Sequence, residues 1–195
     1  ELKDNSSLKK LTLVSNNISN QGIGALTEII SYNKSIESID LSHQILSDNA
    51  LNSFLKSIGQ STSITSLKLS NAGLTQVALN NLSEALKENE YLLDLDLSFN
   101  DFKGSVSGNF FDFLKSKNKL RYLNLENCSL DRYFASKFAR TLSETTQLSS
   151  INLSKKILCD LGIAVISRCA KNSSSLTEID LRNNNTTRQL SLDSK

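Results

Sequence analysis

The sequence predicts an α/β chain wound into a curved solenoid, a horseshoe with parallel strands on its concave face and helices on its convex face. Three observations carry that expectation. Leucine or isoleucine returns at Leu8, Ile36, Ile64, Leu92, Leu120, Leu148 and Leu176, every step being 28 residues with no insertion or deletion. Within each unit the apolar spacing changes from two to about 3.6 residues, the signature of a strand followed by a helix. Neither element can bury its apolar side alone, so only stacking of the units closes a core. Stacked strands lie about 4.8 Å apart and helices are about 10 Å across. That mismatch bends the stack with its strands inward.

The units are read as 8–35, 36–63, 64–91, 92–119, 120–147, 148–175 and a partial 176–195, forming a single domain and a fragment of a larger protein. Residues 1–7 read as the tail of a preceding unit, with Leu2 in the place of its last helix leucine. Unit one alternates Leu8, Leu11 and Leu13, then sets Ile23, Leu26, Ile29 and Ile30 at helical spacing. Unit two repeats this with Ile36, Ile39, Leu41, Leu46, Leu51, Phe54 and Ile58. Unit three is the most regular, with Ile64, Leu67, Leu69 and Leu74 before Leu79, Leu82 and Leu86. Units four and five crowd aromatics at Phe110, Phe111, Phe113, Phe134 and Phe138, read as a thicker core, with an exposed convex patch as the alternative. Unit six returns to Leu148, Ile151, Leu153, Leu158, Ile163 and Ile166. Unit seven keeps Leu176, Ile179 and Leu181; Thr186 then takes the turn leucine's place, and 188–192 is too poor in apolar residues for the usual helix. One place near each predicted helix start holds Gly22, Ala50, Ala78, Val106, Phe134 and Gly162, where small residues suit close packing.

The string L-x-x-L-x-L-x-x-N/C-x-L recurs as LKKLTLVSNNI (8–18), LLDLDLSFNDF (92–102) and LRYLNLENCSL (120–130). It resembles leucine-rich repeats, and the 28-residue helical form resembles their ribonuclease-inhibitor-like subclass. That resemblance implies one of several roles: inhibitor, innate-immune sensor domain, Ran GTPase activator, actin regulator or bacterial effector. Richness in Asn, Ser and Lys looks like an AT-rich genome, in keeping with a bacterial effector or a protist protein. The family's turn ladder maps onto Asn16, Gln44, Ala72, Asn100, Cys128, Lys156 and Asn184. An Asn there can satisfy turn backbone groups, and Cys128 fills the space as a small buried residue. Ala72 can make no such bond, and the charge of Lys156 fits the turn poorly.

Formal charge is +2, which argues against a strongly basic nucleic-acid protein. The balance is uneven: residues 1–111 hold 8 Lys/Arg against 12 Asp/Glu, and residues 112–195 hold 14 against 8. Three cysteines, Cys128, Cys159 and Cys169, suit a reducing compartment, hence a cytoplasmic protein, or one delivered into a host cell if it is an effector. Nine N-x-S/T triplets, Asn33 and Asn127 among them, read mostly as chance in an Asn- and Ser-rich chain. No apolar run reaches transmembrane length, so membrane insertion is not expected.

Enzyme chemistry finds little support. His43 is the single histidine, the cysteines lack metal-site spacing, and no glycine loop for phosphate is present. No catalytic residue, cofactor or metal is predicted. The residues flanking the buried strand leucines suit recognition better. One column reads Thr12, Asp40, Lys68, Asp96, Asn124, Asn152 and Asp180. The next outward reads Val14, Ser42, Ser70, Ser98, Glu126, Ser154 and Arg182, and the one beyond Ser15, His43, Asn71, Phe99, Asn127, Lys155 and Asn183. Leu93, Phe99 and Tyr122 break this polar lattice, ringed by Asp94, Asp96, Arg121, Asn124 and Glu126. Aromatic anchors within a polar rim are how protein interfaces concentrate their energy. The expected function is therefore a non-catalytic protein-binding scaffold that uses its concave face. A GTPase-activating regulator and a structural spacer are the alternatives. A basic set at Lys115, Lys117, Lys119, Arg121, Arg132, Lys137 and Arg140 is too scattered for a phosphate track, so nucleic acid is the weaker partner class.

Overall fold

In a computed structural model, residues 2–102, 106–116, 119–130, 132–144, 147–155 and 158–184 are described. Seven strands alternate with six helices: β1 Lys10–Thr12, α1 Asn20–Tyr32, β2 Ser38–Asp40, α2 Asp48–Gln60, β3 Ser66–Lys68, α3 Gln76–Leu86, β4 Asp94–Asp96, α4 Gly108–Lys115, β5 Tyr122–Asn124, α5 Arg132–Glu144, β6 Ser150–Asn152, α6 Cys159–Ala170 and β7 Glu178–Asp180. The strands form one parallel sheet in chain order. Its register steps by 28 residues throughout, as in Leu11 beside Ile39, Leu67 beside Leu95 and Ile151 beside Ile179. This is the α/β leucine-repeat solenoid that the period demands.

One apolar core runs the length of the stack. Ile39, Leu41, Leu67, Leu69, Leu95, Leu97, Leu123, Leu125, Ile151 and Leu153 are buried from the strand side, and Ile23, Leu51, Leu79, Phe110, Phe138 and Ile166 from the helices. At the first and last strands Leu11, Leu13, Ile179 and Leu181 are only partly buried, having a neighbouring unit on one side. The aromatics of units four and five belong to this core. Phe134 stacks on Phe138 with centroids 5.0 Å apart, and Phe111 lies 5.7 Å from Phe134. All of them are buried, so among the described residues they form no convex aromatic patch.

Helix α4 departs from the expected pattern. It starts at Gly108, with Ser107 as its extended N-cap residue, so Val106 precedes the helix and is buried from the loop. The side chain of Ser107 bonds Asn80 of the preceding unit rather than its own helix. Of the two glycines at that position, Gly22 is pressed against Ile18 of its own turn. A Cβ at Gly162 would lie 3.2 Å from the Ala135 side chain in α5. The side chains of Cys159 and Cys169, together with Lys156, Thr186 and 188–192, lie outside the described residues.

Four ladder side chains, Gln44, Asn100, Cys128 and Asn184, close the turn of the unit before their own, whereas Asn16 donates to Val14 O in its own unit. Gln44 donates to Leu13 O at 2.8 Å and accepts from Ile18 N at 2.9 Å. Asn100 donates to Leu69 O at 2.8 Å and accepts from Ala72 N and Leu74 N. Asn184 donates to Leu153 O at 3.0 Å. Cys128 does more than fill space, since its thiol donates to Leu97 O at 3.1 Å. Where no side-chain oxygen is on offer the turn amide shifts to the backbone: Leu46 N bonds Ala72 O, and Phe102 N bonds Cys128 O. Buried backbone donors must be satisfied by one route or the other.

A second ladder, at the helix-to-strand turns, passed unnoticed in the sequence. Asn33 donates to Leu2 O and Asn5 O and accepts from Ser35 N and Ile36 N. Asn89 repeats this one turn over from Ser61, donating to Ile58 O, Gly59 O and Ser61 O and accepting from Tyr91 N and Leu92 N. Asn5 takes Leu8 N at 2.7 Å, so residues 2–7 occupy the helix-to-strand turn position of a unit. The buried, fully bonded amide of Asn33 leaves no room for a sugar at that triplet.

Candidate functional site

The strand face is preformed because its backbone bonding continues past the three-residue strands. Seven residues at equivalent places leave the sheet in the left-handed conformation: Ser15, His43, Asn71, Phe99, Asn127, Lys155 and Asn183, with φ between 49° and 59°. Each of the first six donates its N–H to the next unit, as Phe99 N does to Glu126 O at 2.8 Å. Asn accepts this conformation readily, whereas for a bulky side chain it is strained. Phe99 is thus held where its own preferences would not put it.

Unit four and unit five supply the expected surface residues. Leu93, 37% exposed, immediately precedes β4, and Tyr122, 36% exposed, opens β5. Tyr122 N donates to Leu93 O at 2.9 Å, which makes the two neighbours. Asp94 stands beside Tyr122 in register, and Asp96 beside Asn124. Arg121 is exposed just ahead of Tyr122, while Asn124 is nearly buried and accepts from Glu126 N at 3.0 Å. Phe99, 40% exposed, lies six residues beyond Leu93 at the opposite rim, and among the described residues no ring contact joins it to Tyr122. Its ring instead meets Lys155 Nζ at 5.4 Å, and Lys155 is also paired with Glu126 at 2.9 Å. The eight residues therefore make two neighbourhoods, Leu93–Asp94–Asp96–Arg121–Tyr122–Asn124 and Phe99–Glu126, the latter two bridged by Lys155.

Tyr91, 46% exposed and two residues ahead of Leu93, extends the first neighbourhood and was not singled out in the sequence. The signal was available: its place holds Ser35, Ser63 and Ser175 in other units. Electrostatics also favour this region. Asp94 accepts from Ser66 Oγ at 3.0 Å through one oxygen, while the other, Oδ1, is buried without a hydrogen-bond donor. Burial raises its carboxyl above the ordinary value, against the pull of the Ser66 bond and of Lys68. Burial likewise raises the phenol of Tyr122, reinforced by Asp96, Asp94, Glu178 and Glu126.

The basic side offers fewer unengaged charges than its count suggests. Lys115 and Arg140 both bind Glu144, at 2.6 and 2.7 Å, and hold its carboxyl below the usual range. Lys137 lies over the Phe111 ring at 6.0 Å. Lys117 and the side chain of Arg132 lie outside the described residues. His43 meets Asn71 at 3.1 Å. Among the described residues no helix is long and apolar enough to cross a membrane.

Comparison with known proteins agrees with this geometry. A family model described as Leucine Rich repeat matches residues 4–26 and 88–105, overlapping two of the segments where the leucine string was read. No curated protein sequence matches the chain. Among solved structures, Leiomodin-1 Actin-Binding Site 2 (ABS2) is similar, with a TM-score of 0.60 and 19% sequence identity over 73% of this chain and 83% of that one. The fold defines the class, a leucine-rich repeat solenoid.

Proposed function

We propose that the chain is a protein-binding scaffold whose partner seats on the concave strand face, centred on Tyr122 and Leu93. The observation that carries this reading is that two residues with large side chains, each more than a third exposed, are joined by a backbone hydrogen bond on a parallel sheet. Such a surface orders few loops on binding, and half-exposed aromatics within a polar rim are where interface energy concentrates. The ribonuclease-inhibitor-like subclass and a non-catalytic role go with this reading. Actin, present in the name of the structural neighbour, is the first defined partner to assay.

The test is affinity for a partner that binds the folded wild type, measured with Tyr122→Ala, Leu93→Ala and Phe99→Ala. Tyr122→Ala is expected to cost about 1–3 kcal/mol of binding. Leu125→Ala is the folding control, with a loss of roughly 2–5 kcal/mol of stability. Full affinity in Tyr122→Ala and Leu93→Ala, combined with its loss on charge reversal at Lys115 and Arg140, would move the site to the lateral basic side.

A further inference from the structure

Across β4 to β7 two columns of the strand face carry one sign of charge, with the exposed Arg121 just ahead of Tyr122. Two adjacent columns across β4 to β7 read Asp94, Tyr122, Ser150, Glu178 and Asp96, Asn124, Asn152, Asp180. They hold four carboxylates and no cation. Asp180 is neutralised by Arg182 at 2.6 Å, and Lys155 is held by Glu126 and Phe99. Lys68 on β3, beside Asp96, bounds the trough on its other flank.

The remaining three acids are unpaired by any cation within these columns. Asp96 accepts from Ser98 N and Ser98 Oγ, Glu178 from Ser150 Oγ at 2.8 Å, and Asp94 from Ser66 while its Oδ1 lacks a donor. Asn124 uses its carbonyl oxygen on Glu126 N, and its amide donors bond no described residue. The trough thus presents Asp94 Oδ2 and Glu178 at its two ends, Asp94 Oδ1 being buried, with an aromatic ring between them and neutral amides alongside.

We infer that the partner presents an extended basic segment, with Arg or Lys at positions i and i+4 and a small or apolar residue at i+2, laid across the strands from Asp94 to Glu178 over Tyr122. Three strand steps of about 4.8 Å make roughly 14 Å, the reach of about four extended residues. In an extended chain residues i, i+2 and i+4 face the same way, so both cations meet carboxylates while the middle side chain meets the ring. Tyr122 can also receive a neighbouring cation on its face. This inference rests on the strand face being the binding surface.

Amide chemical-shift mapping of the isotope-labelled chain tests it, with capped Arg-Gly-Ala-Gly-Arg as the probe, Arg-Arg-Gly-Ala-Gly as the spacing control and Glu-Gly-Ala-Gly-Glu as the charge control. Shifts confined to β4–β7, with the first probe strongest, are expected. Asp94→Asn with Glu178→Gln should weaken it about fivefold, in line with two partly exposed ion pairs. An unchanged spectrum of the double variant outside the trough shows that the fold is intact. Equal binding of the acidic peptide, no dependence on spacing, or no shifts at millimolar probe overturns the basic segment. If a protein partner still loses affinity in Tyr122→Ala, the strand-face reading survives that failure. Shifts of the basic probe mapping to helix-side carboxylates such as Glu84 in α3 and Glu88 in the turn after it, with Tyr122→Ala silent, overturn both.

Discussion

Lys155 and Phe99 are joined across two repeats: the ammonium lies 5.4 Å from the ring centroid while the same nitrogen is 2.9 Å from Glu126. The contact covers the one bulky aromatic that the strand exits hold in a left-handed conformation. A double-mutant cycle of Phe99→Ala and Lys155→Ala is expected to give a coupling of about 0.5–1 kcal/mol, as exposed cation–π contacts do. Urea unfolding measures it. Strict additivity of the two substitutions would show that the ring is free and available to a ligand.

Asn100 spends its whole amide on buried backbone, and Asn100→Ala should cost roughly 2–4 kcal/mol by leaving donors and acceptors unpaired. The turn at Ala72 shows the escape route, with Leu46 N moved onto a backbone carbonyl. A loss under about 0.5 kcal/mol in denaturant melts would mean that this rerouting substitutes fully for the side chain.

Two helical glycines should respond in opposite directions to alanine. Around Gly24, in the exposed interior of α1, nothing lies within 4 Å of an added Cβ, so Gly24→Ala should stabilise by about 0.5–1 kcal/mol. At Gly59 the backbone of Ala85 in α3 occupies that space, so Gly59→Ala must part the two helices and destabilise the stack. Thermal melts of the pair decide it; a stabilised Gly59→Ala would contradict so close a helix approach.

The raised carboxyl of Asp94 makes stability depend on pH with a definite sign. The folded state holds that proton more tightly than the unfolded one, so stability falls as pH rises from the ordinary value of 3.8 through the higher folded value. Asp94→Asn removes this loss and should become increasingly favourable relative to wild type above about pH 4. Paired urea melts from pH 3.5 to 7 check it. A difference that stays flat or runs the other way would show that the Ser66 bond and Lys68 outweigh burial.

Strand register was legible because a fixed 28-residue period leaves a parallel stack a single alignment, and Leu11, Ile39 and Leu67 state it directly. The start of α4 was not, since Val106 matches the apolar pattern whether it lies in helix or loop. Left-handed exits also stayed hidden: Asn71, Asn127 and Asn183 announce them, but Phe99, Lys155, His43 and Ser15 adopt the same φ because the turn imposes it. Leu93 and Tyr122 could be paired from their neighbouring columns. The separation of Phe99 from Tyr122 follows from register, Phe99 lying five residues past Asp94, the partner of Tyr122; its contact with Lys155 is what no spacing encodes.

The cross-unit ladder also bears on how such a chain can change in copy number. Because Asn100 closes the turn that begins in unit three, excising residues 92–119 would join Tyr91 to Leu120 and bring Cys128 to the Leu69–Leu74 turn. Leu69 O would then meet the thiol, and Leu74 N could take the Cys128 carbonyl, the arrangement already used by Leu97 and Phe102. Recombination in whole multiples of the period thus exchanges one turn closure for another that the chain already tolerates, whereas a cut out of phase by even one residue strands both ladders.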